Sequence, residues 1–214
     1  MDIASELAKK LLQINAIQLR PQNPFTWASG MRSPIYCDNR ISLSYPEVRS
    51  FIKNALAQKA KQFPHFQSIV GVATAGIPHG ALLADLMNMP FAYIRSKAKG
   101  HGKENQLEGH IKEGFNTLVI EDLVSTGGSA IAAINALRDM GYGVSGLLSI
   151  FTYGLKKSTE AFKEQNIEYN SLSNFNVLLD VAKSTGMLPA KDIQLLLDWQ
   201  EDPVAWSKQF EGEK

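Results

Sequence analysis

The chain has 214 residues, 44% of them hydrophobic, a formal net charge of +1 and one cysteine, Cys37. That is enough apolar material for one sizeable α/β core, and it argues against two independent domains. A charge this close to zero provides no global field for nucleic acid or an anionic membrane, a lone cysteine cannot form an internal disulfide, and no apolar run approaches membrane-spanning length.

In chain order, Ile3, Leu7, Leu11, Leu12 and Ile14 form an apolar stripe at helical spacing, without a signal-peptide core, and predict a helix packed on the rest. Prolines, a glycine and polar residues break the periodicity over residues 21–40, which predicts short strands and turns anchored by Phe25, Trp27, Ile35 and Tyr36. Aromatic rings beside Arg32 and Arg40 suit either a lid over a planar anion or the packing of a small hood. Residues 45–63 predict a helix with Pro46 in its first turn. A buried strand over 68–73, a turn at Thr74, Ala75 and Gly76, and a helix over 78–87 follow.

Residues 91–94 predict the next strand. The polar segment after it, with Arg95, Lys97, Lys99, His101 and Lys103 among glycines, reads as a mobile basic loop or as solvated surface. Then comes TLVIEDLVSTGGS, residues 117–129. Its apolar, β-branched start is a buried strand over 117–120, expected to end at two acids, Glu121 and Asp122. Gly127 and Gly128 allow several N–H groups to converge on one anion, Ser125, Thr126 and Ser129 add hydroxyls, and the helix that opens there adds its positive end. Two carboxylates beside an anion site would repel the anion unless they face ribose hydroxyls or a cation. Phosphate, sugar and metal are thus the expected ligand chemistry; the alternative is an acidic turn and a glycine-softened helix start.

Helices over 129–140, 155–165, 174–183 and 190–200, strands over 143–151 and 167–171, and a last amphipathic turn or helix from Pro203 complete the chain. The alternation implies a mostly parallel central sheet flanked by helices, an α/β fold spanning residues 1–214 as one domain, with residues 1–40 supplying the first helix and the hood.

VIEDLVSTGGS resembles the phosphoribosyl pyrophosphate signature of the type I phosphoribosyltransferases. With FTWASGMRSPIYCDNR in the hood and RSKAKGHG in the basic loop, the chain is similar to the orotate phosphoribosyltransferase family. The resemblance implies transfer of a phosphoribosyl group to N1 of orotate, with Mg2+ bound mainly through the substrate and no metal ligands of the protein's own. It implies that Ser125, Thr126, Gly127, Gly128 and Ser129, with Leu123 and Val124 leading in, bind the 5-phosphate, and that Glu121 and Asp122 meet the ribose diol. It further implies that Arg95, Lys99 and His101 bind pyrophosphate as part of a lid shared between the subunits of a homodimer. Lys99, His101 and Asp122 are the expected catalytic residues, and Ser125 is expected to touch orotate.

The chain departs from the family at Thr74, Ala75 and Gly76, where some members have a lysine, and at Ser96, beside which Lys97 can stand in. Ala28 and Tyr153 stand where others have a lysine and an arginine, so Arg40 is the expected partner of the orotate carboxylate. A cytoplasmic location and no nucleic-acid or membrane partner are expected. The rival readings are a purine phosphoribosyltransferase and a non-catalytic sensor of phosphoribosyl pyrophosphate, the latter usually carrying a DNA-binding segment for which no pattern is visible. The Gly-Lys-Ser/Thr ending of a P-loop kinase is missing.

Overall fold

The apolar run predicted as a strand becomes the centre of a six-stranded sheet in the computed structural model, which describes residues 2–27, 29–95 and 106–210. That strand, β8 (Asn116–Val124), lies between β5 (Ser68–Val72) and β9 (Gly143–Thr152). β6 (Phe91–Ile94) and β10 (Tyr169–Asn174) flank them, all in parallel, and β7 (Leu107–Glu108) adds an antiparallel edge beside β6. Both faces of the sheet are covered, so its inner strands are apolar on both sides rather than alternating.

Successive side chains of β8 serve opposite layers. Leu118 and Ile120 join a core with Leu7 and Leu11 of α1 (Ile3–Gln13), Ile52 and Leu56 of α2 (Pro46–Ala60), and Leu83 of α3 (Gly76–Met87). Val119 joins a second core with Ala133, Ile134 and Leu137 of α4 (Gly128–Asp139) and Phe162 of α5 (Lys156–Glu164). α6 (Phe175–Ser184) and α7 (Ala190–Glu201) enlarge the first core with Phe175, Leu178 and the fully buried Trp199. Local sequence sets several boundaries. Asp2 caps α1 through the Ser5 N–H, Asn174 caps α6 through the Val177 N–H, and Pro46 opens α2 where no N–H is needed.

The hood consists of β1 (Ile17–Leu19) paired with β4 (Ile35–Cys37), and β2 (Phe25–Thr26) paired with β3 (Arg32–Ser33). A 3-10 turn, Asn39–Ser44, joins it to α2. The C-terminal helices hold it in place. Asp192 of α7 accepts from Gln22 at 2.7 Å, and Ser207 of α8 (Pro203–Lys208) accepts from the Arg32 N–H at 2.8 Å. Among the described residues no helix is long and apolar enough to cross a membrane.

One expectation is corrected and two short strands were not foreseen. β8 does not end before the acids but runs on to Val124, because pairing with β9 continues through Glu121 opposite Ser149 and Leu123 opposite Phe151. Strands β1 and β7 carry no sequence signal, being only three and two residues long and stabilised by their partners.

Candidate active site

Parallel strands deliver their carboxyl ends to one edge of the sheet, and there the turn after β8 meets the turn after β5. Gly127 occupies the N-cap of α4 in the left-handed region, φ +81°, with no side-chain cap. A Cβ at this position would stand 2.9 Å from the Phe162 ring, so both backbone and packing require glycine. The first-turn N–H groups of α4 are therefore open to an anion rather than to a capping side chain. Ser125 is half-buried, Thr126, Gly128 and Ser129 are exposed, and the five-residue turn 125–129 forms a rim of donors. Val124 is buried and its carbonyl accepts from the Tyr153 N–H and the Thr152 hydroxyl, which ties the end of β8 to the end of β9.

The acid pair lies one step below this rim. Glu121 is buried; its Oε1 accepts from the Asp122 N–H at 3.1 Å and its Oε2 faces the Ser129 hydroxyl at 3.5 Å. Burial, then the neighbouring Asp122 charge, push the Glu121 carboxyl up to about 9, so Glu121 is the protonated member at neutral pH. Burial also raises Asp122, with the hydrogen bond from Glu121 opposing the rise. An anionic carboxylate with part of its surface open is suited to a sugar diol or a developing cation.

Beside the pair is a cleft of about 360 Å³ lined by Thr26, Trp27, Tyr36 and Cys37 of the hood, Leu123 and Ser125 of the central stretch, and Tyr153 after β9. Trp27 stacks on Tyr153 with centroids 5.8 Å apart and planes 15° apart, and Trp199 meets both rings edge-on. Three aromatic rings, Trp27, Tyr36 and Tyr153, line the cleft, a lining suited to a planar heterocycle. Cys37 is half-buried and free; burial pushes its thiol well above the ordinary range, so it is a neutral wall group and not a nucleophile. Burial does the same to the Tyr153 hydroxyl.

The second turn is built by close packing. At Gly76 an added Cβ would stand 2.5 Å from the Ile120 carbonyl oxygen, so α3 starts in contact with β8. The Ala73–Thr74 peptide in that turn is cis. Arg95 closes β6: its N–H donates to the Gln106 carbonyl at 3.0 Å, and its guanidinium lies 3.5 Å from Glu108. Lys99 and His101 lie outside the described residues, as does Ala28.

Arg40 is placed differently from the expectation that motivated it. Its side chain is exposed and grips Asp38 with two hydrogen bonds, of 2.7 and 2.8 Å, and it lies outside the lining of the aromatic cleft. The structure thus brings Glu121, Asp122, Leu123 and the 125–129 turn together with the hood, while Arg95 stands at the next strand end. Sequence reasoning passed over Asn39. It is fully buried, and its side-chain amide donates to the Asp122 carbonyl at 2.7 Å. It also passed over His79, buried in the first turns of α3. No local pattern announces either, because each is buried by elements remote in sequence.

The comparisons with known proteins agree with this geometry. Residues 40–178 match the family described as "Phosphoribosyl transferase domain", and that stretch contains the sheet edge, the acid pair and the glycine turn. Fold and site together define a phosphoribosyltransferase. Orotate phosphoribosyltransferase of Streptococcus agalactiae serotype III is 51% identical over 207 residues, covering 96% of this chain and 99% of that protein. This chain belongs to the orotate phosphoribosyltransferase family. The crystal structure of orotate phosphoribosyltransferase from Aeropyrum pernix superposes with a TM-score of 0.74 at 28% identity, over 86% of this chain and 99% of that one. UMP synthase of Leishmania donovani shares the fold, with a TM-score of 0.78 at 24% identity; this chain covers 42% of its length.

Proposed function

We propose that this protein transfers the phosphoribosyl group of 5-phosphoribosyl 1-pyrophosphate to N1 of orotate, giving orotidine 5'-monophosphate and pyrophosphate on the route to UMP. The observation that carries the reading is one sheet edge at which an acid pair, an uncapped glycine turn and an aromatic cleft meet, with Ser125 shared between turn and cleft.

In this reading the 125–129 turn and the start of α4 hold the 5-phosphate, and Asp122 faces the ribose diol. Orotate enters between Trp27, Tyr36 and Tyr153, near Ser125. As the C1–oxygen bond breaks, positive charge builds on the sugar and negative charge on the departing pyrophosphate. Asp122, the anionic acid, stabilises the first; Arg95, Lys99 and His101 are assigned to the second, with a lid that excludes water from the cationic sugar. Arg40 remains the assigned partner of the orotate carboxylate, and to serve it must leave Asp38.

The donor set suits a metal carried in by substrate. Glu121 and Asp122 offer carboxylate oxygens, the ligand type of hard cations, but among the described residues no group of three or more His, Cys, Asp or Glu is positioned to hold an ion alone. Magnesium bound to pyrophosphate would neutralise the leaving group. A homodimer with lid residues crossing between subunits, and a cytoplasmic location, complete the proposal.

The test is loss of orotate absorbance after adding phosphoribosyl pyrophosphate and magnesium, with hypoxanthine and uracil as competing bases. Orotate alone should be consumed, and Lys99→Ala should slow it. Consumption of hypoxanthine in its place, or binding with no turnover of any base, would contradict the proposal.

A further inference from the structure

Asn39 ties three parts of the candidate site into one buried knot. Its side-chain amide donates to the Asp122 carbonyl across 83 residues of sequence, at 2.7 Å. Its own carbonyl accepts the Ser42 hydroxyl at 2.6 Å and a ring N–H of His79. His79 belongs to α3, which starts at the turn after β5, and Ser42 belongs to the 3-10 turn that follows Cys37 and Asp38 of the hood. Asn39 is fully buried and its Oδ1 has no hydrogen-bond partner in the structure, a cost that a residue serving only as filler would avoid by being apolar. The amide directs its buried donor to the carbonyl of the acid proposed to meet the ribose diol. The β8–β9 register pairs Glu121 and Leu123 on either side of Asp122 but gives Asp122 itself no partner in β9, and its carbonyl is taken by Asn39.

From this geometry we infer that Asn39 is a positioning residue: it sets the main chain at Asp122, and through it the angle at which the Asp122 carboxylate meets the ribose diol, in step with the hood and the turn after β5. The inference rests on the assignment of Asp122 to the diol made above. It separates the two halves of sugar-phosphate recognition, because the Asn39 contact reaches Asp122 and none of its hydrogen bonds reaches the 125–129 turn.

The experiment is a pair of calorimetric titrations, with ribose 5-phosphate and with inorganic phosphate, on the full chain, Asn39→Ala and Ser42→Ala. Asn39→Ala should weaken ribose 5-phosphate by about tenfold, the change expected from losing one buried hydrogen bond, and leave inorganic phosphate unchanged. In turnover the KM for phosphoribosyl pyrophosphate should rise by more than kcat falls. Ser42→Ala removes one of the two donors to the Asn39 carbonyl and should weaken ribose 5-phosphate by about threefold; it decides the matter if Asn39→Ala does not fold. Unchanged ribose 5-phosphate affinity in the folded variants would overturn the inference, as would an equal loss for both ligands with a lowered Tm, the mark of a general packing role. If the unmodified chain binds inorganic phosphate but gains nothing from the attached ribose, the assignment of Asp122 itself has failed, which is a different result from unequal variants.

Discussion

Asp122 and Glu121 are adjacent in sequence and are made chemically unequal by the fold. Glu121 is buried and its carboxyl is pushed up to about 9, whereas Asp122 is partly open and the Glu121 hydrogen bond opposes its rise. The sequence shows only two acids side by side; the proposed mechanism places the charge on Asp122. Asp122→Asn keeps the shape and removes that charge; kcat should fall by roughly 100-fold with an unchanged Tm, as measured by the orotate absorbance assay and thermal unfolding. Gly127→Ala would put a methyl against Phe162 at a positive φ, and should cost about 1–3 kcal/mol of stability along with phosphate affinity, read by denaturant unfolding and calorimetry. The glycine turn was legible in the sequence because glycine pairs after a strand have few other uses. The pairing of Asp122 with Asn39 was not, since it depends on where a hood turn 83 residues away comes to rest.

At the scale of elements, α3 shows how packing sets electrostatics. Its close approach at Gly76 brings His79 into the core, where burial, opposed by the hydrogen bond to Asn39, lowers the imidazole from 6.5 to about 4. The unfolded chain therefore binds more protons between those values. The His79 contribution to stability is complete above about pH 6.5 and is lost as pH falls toward 4, on the order of 3 kcal/mol over the interval. Glu121 acts with the opposite sign: its contribution is complete below about 4.5 and is lost as pH rises toward 9. Because the two contributions oppose each other between pH 5 and pH 7, urea unfolding should show His79→Gln losing more stability than the parent chain on going from pH 5 to pH 7; equal changes in the two proteins would contradict the assignment. Long elements with regular periodicity, such as α2 and β5, lie within a few residues of their predicted bounds. β8 outran its expected end because pairing with β9 overrides the low strand preference of Glu and Asp.

Over the whole molecule, the C-terminal helices complete the site from outside it. Trp199 of α7 supports both Trp27 and Tyr153, and the Gln200 side chain donates to the Tyr153 carbonyl at 2.8 Å. The sequence predicted a helix over 190–200 and a last amphipathic turn or helix from Pro203, but not that the first carries the wall of the cleft, because only the crossing of hood and α7 brings these rings together. Trp199→Ala should destabilise the protein by about 3–5 kcal/mol and raise the KM for orotate more than that for phosphoribosyl pyrophosphate, as thermal unfolding and initial rates would show. Architecture followed from strand and helix alternation, and the acid pair with its glycine turn from one contiguous string. The aromatic cleft combines hood, sheet edge and C-terminal helix, so no single stretch of sequence contained it.

A crystal structure with ribose 5-phosphate bound tests the central claim most directly. The account predicts the phosphate on the 125–129 turn at the start of α4 and the ribose hydroxyls on the Asp122 carboxylate. A phosphate bound elsewhere with that turn left free, or a diol turned away from Asp122, would contradict it.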